Sequence, residues 1–192
     1  MNCFYYYNRF IEKVLDTYWN IYNKINLKLW NCKIGKNCKF QGKSHFRRYP
    51  ESIITIGDDC QFISAKYGNF VGIYTPCQIT TLLPNSSITI GRNCGFSATV
   101  ITAAKSVRIG NNVRCGANTL ITDTDFHTDD QRAGADKEVV IEDNVWLGYG
   151  VKILKGVHIG ANSIIGLGSI VTHDIPANVV AVGNPCKVIK EL

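Results

Sequence analysis

No run of about eighteen apolar residues occurs anywhere in this 192-residue chain, so the sequence offers no membrane-spanning helix. Nor does it open on a basic segment followed by an apolar one, which leaves no secretory leader to read. The expectation is a soluble, cytoplasmic protein. Proline is scarce, at five residues, and eight cysteines are present, yet there is no CxxC pair and no Cys/His group at zinc spacing. No metal site is expected. A nucleic-acid stripe is also missing, because the net charge is only +6. Its densest basic group, Lys24, Lys28, Lys33, Lys36, Lys39, Lys43, Arg47 and Arg48, reads as solvated surface, with an anionic ligand or membrane face as the alternative.

What the sequence does have is a period of six. From Ile141 every sixth residue is aliphatic, through Leu147, Ile153, Ile159, Ile165 and Val171. Neither a helix, which needs three- and four-residue steps, nor a long strand, which alternates by two, produces that spacing. Short strands with a sharp turn after each one do, and three such steps close one coil. Gly148, Gly150, Gly156, Gly160, Gly166 and Gly168 fall where corners are expected. The phase recurs at Ile34 and Phe40, at Ile56 and Phe62, at Ile90 and Phe96, and at Ile109, Cys115 and Ile121. Cys38, Cys60 and Cys94 each follow an Ile by four residues, where later repeats carry Val113, Val145, Val151 and Val157, so they read as small core residues. The span 33–175 predicts about seven coils and a prism on the order of 35 Å tall, irregular at 43–53 and 64–87.

Open ends of such a stack need covering. Residues 1–32 read as a helical cap, with Phe10, Val14, Tyr18, Ile21, Ile25 and Leu29 as an amphipathic stripe. Packing against the stack is the preferred reading; the aromatic-rich face of this segment (Phe4, Tyr5, Tyr6, Tyr7, Trp19, Trp30) touching a membrane or a partner subunit is the other. Residues 176–192 are expected to leave the solenoid as a tail, packed back by Val188 and Ile189.

The stretch from Asn144-Val-Trp-Leu-Gly-Tyr-Gly to Val182-Gly-Asn-Pro-Cys-Lys-Val-Ile resembles the hexapeptide-repeat acetyltransferases, in particular the maltose and galactoside O-acetyltransferases and the capsule or exopolysaccharide acetyltransferases. The resemblance is strongest over 107–190. It implies a mainly β, left-handed parallel β-helix, a homotrimer with active sites between subunits, and acetyl-CoA as co-substrate. It places Trp146, Tyr149, Leu167, Thr172 and His173 against the coenzyme and Lys187 and Lys190 near its phosphates; Gly148 and Gly166, eighteen residues apart and so stacked on adjacent coils, would leave a groove for the pantetheine arm. Relatives often have Arg in place of the two lysines, so bidentate pairing is lost here.

The period breaks between Ile121 and Val139, and residues 122–138 form an insertion carrying His127, Arg132 and five Asp. Insertions on rigid scaffolds are common places for function. Acyl transfer to a hydroxyl needs a base, and an imidazole, with an ordinary pKa of about 6.5, is neutral yet protonatable near neutrality. His127 is therefore the expected catalytic base, as in the relatives' corresponding loop. Asp125 or Asp123 could orient it or bind acceptor hydroxyls, and Arg132 could close over the ligand. The reading is an O-acetyltransferase for a sugar or glycan precursor; an N-acetyltransferase of an amino-sugar nucleotide and a non-catalytic scaffold are the alternatives.

Overall fold

A computed structural model describes residues 3–127 and 129–192; Met1, Asn2 and Thr128 lie outside the described residues. A helix, α1 (Cys3–Leu29), precedes twenty short strands, which stack into two six-stranded sheets and one eight-stranded sheet. Every strand pairing is parallel except the last, and successive strands pass from sheet to sheet. The result is a left-handed parallel β-helix with three flat faces.

Each face stacks one inward column. Ile56, Ile90, Ile109, Ile141 and Ile159 stand in register on the first. The second runs Phe40, Phe62, Phe96, Cys115, Leu147, Ile165 and Ala181; its three Phe rings stack at 5.1 Å between centroids. Phe46, Ile79, Ile101, Ile121, Ile153 and Val171 complete the third. Six coils are complete, and a seventh is begun by an Ile159–Ile175 bridge and the strand Val179–Gly183.

The corners depart from expectation. Only Gly150, Gly156 and Gly168 of the six glycines have positive φ. One column of corners is turned by Asn37, Asp59, Asn93, Asn112, Asn144, Asn162 and Asn178, at φ between 54° and 63°, since Asn tolerates the left-handed region better than other side chains. Their amides form a ladder, each Nδ2 donating to the next Oδ1: Asn93 to Asn112 at 2.8 Å, then to Asn144, Asn162 and Asn178. Gly148, Gly160 and Gly166 are instead close approaches. A Cβ on Gly148 would come within 2.6 Å of the Leu167 backbone nitrogen.

Cys38, Cys60 and Cys94 are buried core thiols as expected, and each donates S–H to a carbonyl one coil on: Gly57, Gly91 and Gly110. All eight cysteines are free. The irregular early region is mostly regular: His45–Arg47 and Gln78–Thr81 pair as ordinary strands, and the true excursion is residues 64–77, with a 3₁₀ turn at Lys66–Gly68.

At the N-terminal end α1 does cover the stack, but with the opposite face to the one anticipated. Asn23 and Leu27 are its buried residues, whereas Phe10, Val14, Tyr18, Ile21, Ile25 and Leu29 are all exposed, Leu29 by 79%. The first coil presents unpaired backbone groups, so amides serve it better than alkyl chains. Asn23 donates to Gly42 O and accepts from Ser44 N, both at 2.9 Å. Asp16 receives Gln41 Nε2 and the Tyr67 hydroxyl. Leu27 plugs the core below them, a burial worth about 1.5–3 kcal/mol.

The C-terminal tail also differs from expectation. Val179–Gly183 is a stack strand parallel to Ile164–Ile165, and Cys186–Glu191 returns antiparallel to it. Cys186 is buried, while Val188 and Ile189 are exposed, because backbone pairing rather than those side chains holds the return.

Candidate active site

Two hollows hold most of the anticipated residues. One, of about 440 Å³, is lined by Trp146, Gly148, Tyr149, Gly166 and Leu167 together with Ser97, Gly116, Ala117, Ile164 and Ile165, and by Asn69 and Val71 of the 64–77 excursion. Register explains the convergence. Trp146–Leu147 pairs with Ile164–Ile165 on one side and with Arg114–Cys115 on the other, so Gly116, Gly148 and Gly166 follow their strands in a column and leave the wall shallow and open. The hollow is open and mostly apolar, a lining suited to a flexible arm.

The excursion is tied over this groove by specific contacts. Asn118 accepts the Tyr74 N–H at 3.0 Å and donates to Gly72 O at 3.1 Å. Tyr149 donates its hydroxyl to that of Tyr74 at 3.0 Å, and this contact raises the Tyr74 phenol above its ordinary range. The sequence suggests residues 64–87 as part of the acceptor pocket, whereas Asn69 and Val71 line this groove and Tyr74 is tied beside it; the periodicity breaks there without indicating where the loop folds back.

The second hollow, about 200 Å³, lies in the insertion and is lined by Thr124–His127 and Ala133–Asp136. His127 is exposed there, and among the described residues its imidazole has no hydrogen-bond partner. The preceding residue, Phe126, sits at φ 68°, a costly conformation for a bulky side chain and of the kind that clusters at functional sites.

The acidic residues do not surround His127 as anticipated. Asp123 is fully buried and accepts the backbone N–H groups of Ala104, Lys105 and Ser106 at 2.6–2.7 Å. Burial pushes its carboxyl up from the usual range while these three bonds pull it back. It staples the loop to the coil and cannot reach an acceptor. Asp125 is ion-paired with Lys155, which also donates to Gly134 O at 2.9 Å; the pair clamps the two limbs of the insertion, and orientation of His127 by Asp125 is replaced by this role. Arg132 grips Asp130, two residues back, and holds its carboxyl low. It is engaged in the loop's own turn.

Thr172 and His173 are outside the groove: they bond to each other at 2.8 Å in the turn after Ile170–Val171, on another face. Lys187 and Lys190 lie exposed on the last strand of the eight-stranded sheet, the sheet that carries Trp146. Among the described residues no group of three or more His, Cys, Asp or Glu could hold a metal. A larger cavity of about 790 Å³ lies between α1 and the first coils and holds none of the candidate residues.

The bacterial transferase hexapeptide (six repeats) family model matches residues 138–173. A galactoside O-acetyltransferase of Lactococcus lactis subsp. lactis is 41% identical over 142 residues, 71% of this chain and 62% of that protein. A galactoside O-acetyltransferase of Escherichia coli (strain K12) is 44% identical over 113 residues, 56% of this chain and 55% of its own length. The chain thus spans between about half and two thirds of these curated relatives. Among solved structures, the polysialic acid O-acetyltransferase OatWY matches with a TM-score of 0.62 at 26% identity, over 82% of this chain and 72% of that one. AntD, an N-acyltransferase from Bacillus cereus solved with dTDP and 3-hydroxybutyryl-CoA, has a TM-score of 0.67 at 18% identity over 88% and 87% of the two chains, a likeness of fold alone.

Proposed function

Since the chain belongs to the hexapeptide-repeat transferase family, we propose that it is an acetyl-CoA-dependent O-acetyltransferase acting on a sugar or glycan precursor, with His127 as general base. The observation that carries this reading is the apolar groove at Trp146, Gly148, Tyr149, Gly166 and Leu167, whose apolar lining and glycine floor suit a pantetheine arm. Lys187 and Lys190, on the same sheet, would meet the phosphates by charge alone. Named O-acetyltransferases among the relatives support the reaction class.

In this reading the acceptor hydroxyl enters beside His127. The neutral imidazole takes its proton while the oxygen attacks the thioester carbonyl carbon. As the new C–O bond forms, the C–S bond breaks, and the imidazolium returns the proton to the departing thiolate. The groove and the His127 hollow share no lining residue. We read each as half of a site, completed in a homotrimer where the groove of one subunit faces the insertion of the next.

The test is thiol release from acetyl-CoA by purified protein against a panel of sugars and amino-sugar nucleotides. Replacing His127 with Ala is expected to lower turnover by about 10²- to 10⁴-fold with thermal stability unchanged. Release only with amine acceptors would move the reading to N-acetylation. Neither binding nor turnover with any acceptor would leave a scaffold.

A further inference from the structure

The exposed face of α1 is an apolar ridge with a basic surround. Phe10, Val14, Tyr18, Ile21, Ile25 and Leu29 recur at three- and four-residue steps and line one side of the helix for most of its 27 residues. The other side is committed to the first coil through Asn20, Asn23 and Leu27, so the ridge cannot turn inward without uncapping the stack. Lys13, Lys24 and Lys28 are exposed along its margin. Charge is concentrated at this end: residues 1–48 carry ten Lys or Arg against two Asp or Glu, a net +8, whereas the whole chain carries +6.

We propose that α1 lies flat on an anionic lipid surface, with the Phe10–Leu29 ridge sunk between headgroups and acyl chains and the flanking lysines on lipid phosphates. Three features select this occupant. The helix is not long and apolar enough to cross a membrane, but a helix with a strong apolar face and Lys at its edge is the form that lies in the interfacial plane. Aromatic rings, as at Phe10 and Tyr18, favour the headgroup level. A second copy of the same face would bring two ends of net +8 together, whereas anionic headgroups neutralise them, and lipid moulds to a convex ridge that a protein partner would have to match with a groove.

The test is co-sedimentation of the full chain with vesicles of phosphatidylcholine, and of phosphatidylcholine with one third phosphatidylglycerol. It involves no acetyl transfer, so its outcome is separate from that of the proposed activity. Binding is expected to the anionic vesicles and to fall as salt rises. The variant Phe10→Ser/Ile21→Ser/Ile25→Ser changes only exposed positions and should bind at least about tenfold more weakly, as should Lys13→Glu/Lys24→Glu/Lys28→Glu. Circular dichroism and the mass by light scattering should be unchanged in both. Absence of wild-type binding, or binding retained by both variants, would overturn the proposal. A fall in oligomer mass in the serine variant would assign the ridge to a second copy instead.

Discussion

Asn20 holds both backbone polar groups of Phe40: its Nδ2 donates to the carbonyl at 3.3 Å and its Oδ1 accepts the N–H at 2.9 Å. A primary amide in this position does what the next β-strand would do, and Asn23 repeats the device three residues on, at Gly42 and Ser44.

Loss of either amide therefore exposes an unsatisfied strand edge. Asn23→Ala, at the buried site, is expected to destabilise by about 1–3 kcal/mol, and Asn20→Ala, partly exposed, by less. Urea unfolding measures both. Asn23→Leu should be no better than Ala, although it is more apolar, and a stabilising Leu would show that hydrophobic contact matters more than edge pairing.

The clamp between Asp125 and Lys155 makes a kinetic prediction. If the pair positions the His127 loop, Asp125→Asn and Lys155→Met should lower turnover by comparable factors, and the double variant should be little worse than either single one. A direct action of Asp125 on the imidazole would instead make Asp125→Asn far more damaging than Lys155→Met, and would shift the acidic limb of the pH–rate profile.

Glycines of the solenoid fall into two kinds with different costs. Gly148→Ala drives a Cβ to within 2.6 Å of a backbone nitrogen, so neighbouring coils must separate and several kcal/mol should be lost. Gly150 has open space but φ 67°, so Gly150→Ala should cost only about 1–2 kcal/mol. Thermal melts of the two variants should rank them in that order.

Acid should weaken the first face through Glu142. The His158 imidazole at 2.8 Å and the Ala161 N–H at 2.9 Å hold this carboxyl below its ordinary range. Depressed in the folded state, it favours folding above the unfolded value, about 4.3, and that contribution disappears as pH falls through the lower folded value. Glu142→Gln should flatten the melting temperature against pH in that window.

The period of six made the fold legible because inward positions are repeated and redundant: a Cys at 115 or a Ser at 163 does not hide the phase. It overcounts the coils, about seven for six complete ones, because the 64–77 excursion and the 122–138 insertion add residues without adding strands. The corners are less legible: glycine is the usual mark of a left-handed turn, yet Asn37, Asn93, Asn112, Asn144, Asn162 and Asn178 carry one column of them, each one residue before a core position. On α1 the apolar stripe was legible but its partner was not, since periodicity says which side of a helix is greasy and not what meets it. In the site, the stacking of Gly148 over Gly166 was legible because eighteen residues make one coil, while Trp146, Tyr149 and Leu167 rested on the family resemblance; all five line one hollow. The roles of Asp123, Asp125 and Arg132 were not legible, because loop carboxylates choose partners by folded proximity: three amides, Lys155 and Asp130.

The asparagine ladder runs one way, each amide giving its N–H to the next oxygen. Such a column has a vulnerable chemistry. Deamidation of Asn144 would leave a carboxylate still able to accept from Asn112 but facing the oxygen of Asn162 with nothing to give. A single hydrolytic event would thus reverse the column beyond it, the Asn162 and Asn178 amides having to turn over to give their N–H groups toward the new carboxylate.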